Sequence, residues 1–172
     1  MSPETTDKTL LIVWHSRTGA ARQLAQAAAE GAREVLCELG AGDALTVALR
    51  TADDTTVDDV LKADAYLFCA PENLGALSGA MKECFDRCYY GVLDHIGGRP
   101  YALAISAGSD GSGAVRQAER ICTGWRLRAV APAYIAHTDA QTPEAIQADK
   151  TLTDSQREAA RVLGGTLAAL LV

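Results

Sequence analysis

The residues with the clearest chemical potential form one short run, Ser16-Arg17-Thr18-Gly19-Ala20-Ala21. Two hydroxyls, a cation and a glycine stand between Thr9 to Trp14, which opens as an apolar run of strand formers, and Gln23 to Glu38, which is long, alanine-rich and reads as a helix. The first turn of a helix leaves backbone N–H groups unpaired and carries partial positive charge. Gly19 lets the backbone pass close to a ligand. A strand, a tight loop of hydroxyl residues and a helix start together predict an anion site suited to a phosphate. The same run also fits a plain N-cap and turn, and the later loops decide between the two.

Positioning such a loop requires a scaffold, and the chain alternates short apolar strands with helical stretches, the pattern of an α/β fold with a parallel sheet. Strand one is Thr9 to Trp14, and helix one runs from about Gly19 to Leu39, with Leu24, Ala28, Val35 and Leu39 at mostly helical spacing. Ala44 to Arg50 alternates and predicts a half-exposed edge strand; Asp53 to Lys62 predicts a short acidic helix. Ala65 to Ala70 and Tyr101 to Ile105 are apolar throughout and read as central strands. The loops Pro71-Glu72-Asn73-Leu74-Gly75 and Ser106 to Gly113 follow them, and helices are expected over Leu77 to Tyr90 and Ala114 to Gly124. Ala129 to His137 reads as a last strand, at an edge because Pro132 cannot donate to a ladder. Gln141 to Leu152 is an irregular connection, and Asp154 to Leu171 closes the chain as a helix with Val162, Leu163, Leu167, Leu170 and Leu171 facing inward. Edges at strands two and five match a five-stranded, doubly wound order 2-1-3-4-5. Its ligand cleft opens beyond the carboxyl ends of strands one and three.

The bulk properties narrow the field. The chain has 172 residues and a formal net charge of -6, which gives no basic face for nucleic acid. Residues 1–8 read as a polar tail without the apolar segment of a signal peptide, and 9–172 as one domain. No apolar run is long enough to span a bilayer, so no membrane partner is expected. Five cysteines, an odd number with no Cys-x-x-Cys pair, suit a reduced, cytoplasmic protein.

At this point the residues resemble a known family, the flavodoxin-like flavoproteins, and within them the NAD(P)H-dependent FMN and quinone reductases. His15 to Ala21 looks like the family's phosphate loop. Pro71 to Gly75, followed by Leu77-Ser78-Gly79-Ala80-Met81-Lys82 and Asp86-Arg87, is similar to the loop and helix beside the isoalloxazine. Ser106-Ala107-Gly108-Ser109-Asp110-Gly111-Ser112-Gly113 resembles the loop at the pyrimidine edge. The resemblance implies a flavodoxin-like three-layer sandwich and FMN held by Ser16, Arg17, Thr18, Gly19, Ala20 and Ala21, by Pro71, Glu72, Asn73, Leu74 and Gly75, and by Ser106, Ala107, Gly108, Ser109 and Asp110. It implies NAD(P)H as electron donor and a small-molecule acceptor, with the flavin N5 rather than a protein acid or base carrying the chemistry. Two departures stand out. Ala21 replaces a hydroxyl common in flavodoxin phosphate loops. The second and third loops contain no aromatic residue, unlike carriers that sandwich the ring, which leaves a ring face for nicotinamide or a quinone.

Several residues carry alternatives. Glu72 is a solvated loop acid or a flavin contact, Asp110 a turn residue or a ribityl contact, and His15 a cleft residue or a packing one. His137 ends an edge strand, away from the flavin. Cys84 and Cys88 are four apart on a helix and read as core, since no histidine pair completes a metal site. Cys122 to Arg128 has phosphatase-loop spacing but lies at a helix end. No Gly-x-Gly-x-x-Gly follows strand one, and no aspartate ends it. Leu93, Ile96 and the 77–90 helix offer apolar surface for a homodimer.

Overall fold

The computed structural model describes residues 7–172, so most of the 1–8 tail lies outside the described residues. Lys8–Trp14 (β1) pairs in parallel with Leu45–Thr51 (β2) on one side and with Ala65–Asn73 (β3) on the other. β3 pairs in parallel with Pro100–Ala107 (β5), and β5 with Arg128–Ala129 (β6) and Tyr134–His137 (β7). Between β3 and β5, Ala76–Leu77 (β4) folds back on the end of β3. With that hairpin set aside and β6 and β7 taken as one edge, the order is the expected 2-1-3-4-5.

The helices are Ala20–Glu38 (α1), Val57–Lys62 (α2), Gly79–Val92 (α3), Ser112–Gly124 (α4), Pro143–Gln147 (α5) and Asp154–Ala169 (α6). Strand alternation divides the core. Leu10, Ile12, Leu67 and Ala104 face α1 and α6, while Leu11, Val13, Phe68 and Ile105 face α3 and α4. The first layer is built from small residues. A methyl on Gly164 would overlap the carbonyl of Ala28, and one on Gly31 would overlap backbone of Arg161, so α1 and α6 touch backbone to backbone. The second layer is aromatic, with Phe68, Phe85 and Trp125 in tilted and edge contacts.

Six expectations need correction. The acidic helix starts at Val57 and not at Asp53, because Thr56 and Asp59 form a capping box and Thr51 to Thr55 close a turn before it. Pro71 to Asn73 are not loop but the end of β3, kept extended by their ladder to β4, which also takes Leu77 out of α3. Ser106 and Ala107 remain on β5, and Ser112 and Gly113 already belong to α4, so the third loop proper is Gly108 to Gly111. The last strand is broken at Val130 to Ala133. Tyr101 pairs with Ala129 and Ala104 with Tyr134, so two extra residues bulge out around Pro132. Leu39, Val162 and Leu170 are exposed; Leu36 is the buried residue at the end of α1, and glycines occupy the face of α6 that meets α1. Ile96 is 1 % exposed and Met81, Cys84, Phe85 and Cys88 of α3 are buried, so the apolar surface expected there shrinks to exposed Tyr90 and half-buried Leu93.

Candidate functional site

The carboxyl ends of β1, β3 and β5 bring the three singled-out stretches to one edge of the sheet. In the first loop, Gly19 adopts a left-handed φ of 97° and caps α1. Its N–H donates to Ser16 Oγ at 3.1 Å, which folds the loop tightly and leaves the Ser16 hydroxyl proton free to donate outward. Among the described residues, the N–H groups of Arg17, Thr18, Ala20 and Ala21 have no hydrogen-bond partner. Unpaired amides, two hydroxyls and a helix start concentrate at one point, and they meet the requirements of a phosphate. Arg17 is exposed beside them.

One side of this loop is fixed by Gln23, a residue the sequence did not signal. Its Nε2 donates to Gly19 O (3.0 Å) and Lys150 O (2.7 Å), and its Oε1 accepts from Leu152 N (3.0 Å). Lys150 N donates to Thr18 O at 2.8 Å. The connection ahead of α6 is thereby laced to the first turn of α1.

The second stretch is a hairpin. Asn73 pairs with Ala76, and the two residues between them, Leu74 and Gly75, have φ of 53° and 75°. Positive φ at both central positions marks a type I′ turn. Gly75 suits that geometry, whereas Leu74, bulky and fully exposed, is strained there. The hairpin is held from behind by α4. Glu72 accepts from Gly111 N at 2.9 Å through one carboxylate oxygen and from Ala114 N at 3.1 Å through the other, while Gln117 Oε1 accepts from Leu77 N at 2.7 Å. Glu72 is not merely a solvated acid: it caps α4 and fastens the third loop to the hairpin. A methyl on Gly113 would overlap Gly75 O, so helix and turn are in contact.

In the third loop, the N–H groups of Gly108, Ser109 and Asp110 have no partner among the described residues. Asp110 accepts from the Ser112 hydroxyl (2.8 Å) and amide (3.3 Å), which holds its carboxyl below the usual range and ties it into the turn before α4. His137 sits closer than expected, with its Nε2 2.9 Å from Asp110 O. The broken edge strand brings β7 back into register with the end of β5 and so carries His137 to the loop.

His15 links the first two stretches. Its Nδ1 lies 2.9 Å from the hydroxyl of Ser78, a fully buried residue whose N–H donates to Pro71 O at 3.1 Å. Burial holds the imidazole below its ordinary pKa of 6.5; Asp53 opposes that shift and Arg17 reinforces it. The remaining candidates are structural. Cys84 and Cys88 lie in the aromatic layer, and Cys122 is buried in α4, where burial raises its thiol pKa far from nucleophilic use. No helix of the described residues is long and apolar enough to cross a membrane.

The sequence pattern described as NADPH-dependent FMN reductase matches residues 15–141, a span that includes all three stretches. A flavodoxin from Aquifex aeolicus is 29% identical over 164 residues, covering 92% of this chain and 84% of that protein. Among solved structures, a flavodoxin from the domain Archaea superposes with a TM-score of 0.74 at 15% identity, covering 95% of this chain and 98% of that one. A flavodoxin, WrbA-like protein from Agrobacterium tumefaciens superposes at 0.71 with 17% identity, covering 96% and 98%. These superpositions show the flavodoxin-like fold.

Proposed function

We propose, from the premise that this chain belongs to the NADPH-dependent FMN reductase family, that it binds FMN and passes hydride from NADH or NADPH to a quinone, a free flavin or a similar small acceptor. Membership of the family supports a flavin-binding oxidoreductase of flavodoxin-like type. The observation that carries the fuller reading is the cluster of amide and hydroxyl donors around Gly19, a donor set that protein atoms do not use.

In this reading Ser16, Thr18 and the amides of Arg17, Ala20 and Ala21 hold the phosphate. The backbone of Asn73, Leu74 and Gly75 faces the N5 edge, and the amides of Gly108, Ser109 and Asp110 face the pyrimidine edge. FMN, when bound, supplies hydride acceptance and donation at N5. The chain's part is to orient the ring and to stabilise charge that develops on its pyrimidine edge with fixed amide donors. Glu72 keeps the two loops on either side of the ring in one rigid unit. The lack of aromatic side chains in residues 71–75 and 106–113 supports a ring face open to nicotinamide.

A second reading, a one-electron carrier, is favoured by the resemblance to the Aquifex aeolicus flavodoxin. Anaerobic mixing of the FMN-loaded protein with NADH and with NADPH separates the two. The reductase reading predicts bleaching of the flavin band in one two-electron phase, with colour restored by a quinone. A yellow protein bleached by neither nucleotide contradicts it and favours the carrier.

A further inference from the structure

A cavity of about 440 Å³ opens at the carboxyl edge of β1 and β2, next to the first loop and outside the three stretches assigned to the flavin. It is lined by Trp14, Gln26, Leu49, Arg50, Thr51 and Asp54. The side chains of Trp14 and Leu49 pack against the α1 side of the core and stay half-buried, so indole and isobutyl group give the cavity an apolar floor. The rim is polar on every side. Gln26 is exposed on α1 and offers a carboxamide. Thr51 and Asp54 bond each other, hydroxyl to carboxylate at 2.9 Å, and one oxygen of Asp54 is left over. Arg50 is held by a single 3.8 Å ion pair to Asp59 and half of its side chain is exposed.

We propose that this cavity is a subsite for the adenosine phosphate part of a dinucleotide. An aromatic floor with donors and acceptors on its rim matches a flat heterocycle with an amino group and ring nitrogens. Stacking on indole tolerates any base, and the carboxamide and carboxylate select among them. The volume is that of a small-molecule site. The location sets the partner. Neighbouring strands lie about 4.8 Å apart, so the cavity, between the ends of β1 and β2, is roughly 7–12 Å across the sheet edge from the ends of β3 and β5. A dinucleotide with its other ring over those ends would cross the first loop, where Arg17 and Arg50 are available to its phosphates. The source of the adenosine on this account is NADH or NADPH. The alternative source of the same chemistry is FAD with its flavin in the site. The subsite rests on the proposed reductase reading only for the identity of the nucleotide.

ADP-ribose and 2′,5′-ADP, which lack nicotinamide and flavin, are the probes. Each is titrated into the FMN-loaded protein by calorimetry and by tryptophan emission. Trp125 is buried in the other layer, so a change of emission that disappears in Trp14→Phe reports this cavity. Gln26→Phe closes the mouth from an exposed helix position and leaves the core alone. The expected result is binding below about 1 mM, a Trp14-dependent emission change, and loss of both in Gln26→Phe. That variant also raises the nucleotide KM about tenfold, with kcat and FMN affinity unchanged. If the probes bind at Trp14 without competing with NAD(P)H, and Gln26→Phe weakens FAD but not FMN, the adenosine belongs to FAD. If neither probe binds, or if binding is blind to both substitutions, the subsite is wrong. Flavin bleaching by NAD(P)H without probe binding overturns the subsite alone. Probe binding without bleaching overturns the reductase reading alone.

Discussion

The first loop and the hairpin stand at the ends of adjacent strands, yet they spend their polar groups in opposite ways. Around Gly19, four amides and the Thr18 hydroxyl are left without protein partners, and the Ser16 hydroxyl, which accepts from Gly19 N, keeps its proton free to donate. At the hairpin, polar groups are committed: Glu72 gives both oxygens to α4, Gln117 takes the Leu77 amide, and Ser78 pairs with His15. The contrast separates two tasks. A loop with unspent donors gains its stability from a ligand, because buried or half-buried amides without partners cost free energy until something accepts from them. A braced loop keeps its shape without one and can present a ring edge with little reorganisation.

The sharpest way to break the contrast is to unbrace the hairpin. Glu72→Ala removes two charge-assisted bonds and should cost about 2–3 kcal/mol of stability, with a loss of FMN affinity of tenfold or more. Glu72→Gln keeps one acceptor and should recover part of both. Denaturant melts with flavin titrations check this. An unchanged FMN affinity in Glu72→Ala would show that the bracing does not serve the ligand.

Next in size are the two glycines. Both have positive φ, and a Cβ has ordinary contacts at Gly19 and open space at Gly75. Valine at either position is therefore penalised by the backbone, by about 1–2 kcal/mol, before any ligand is considered. Asparagine tolerates the same region. Gly19→Asn and Gly75→Asn should melt close to the parent while binding FMN about tenfold more weakly. Normal binding in both would refute the assignment of close approach at the phosphate and at the N5 edge.

Leu74 sharpens the comparison from the other side, since it is the strained residue of the braced region. Leu74→Asn should relieve the strain and stabilise the fold by about 0.5–1 kcal/mol, a rise in Tm of about 1–4 °C. A lower Tm would mean that the exposed leucine has a stabilising contact that its full exposure does not suggest.

The smallest effect is the pH response of the link between the regions. His15 has a folded pKa below its ordinary 6.5, so the unfolded chain binds more protons in the interval between the two values. Its contribution to stability is complete above about 6.5 and is lost as pH falls from there toward the folded value. His15→Gln should flatten that part of the stability-versus-pH curve. A curve of the same slope assigns it to other groups.

Strand order and the gathering of three loops at one sheet edge were legible in the sequence, because apolar runs and glycine or hydroxyl punctuation alternate clearly. The hairpin was not. A type I′ turn is signalled by Asn-Gly or Gly-Gly, and Leu74-Gly75 after a proline looks like open loop. The capping of α4 by Glu72 joins residues about forty apart, and no local pattern encodes it. Gln23 looked like any exposed helical glutamine until Lys150 and Leu152 folded onto it. Apolar residues at Leu93 and Ile96 suggested a surface, but Ile96 is core. The approach of His137 to the third loop is not legible either, because the two-residue bulge at Pro132, which resets the register of β7, leaves no mark beyond the proline itself.

The central claim is that the first loop is a phosphate site whose donors wait for FMN. Titration of the flavin-free protein with FMN and with riboflavin, read by quenching of flavin fluorescence, tests it directly. Several charge-assisted bonds to phosphate, each worth about 1.5 kcal/mol or more, predict FMN binding at least about a hundredfold tighter than riboflavin. Equal affinity for the two would contradict the account.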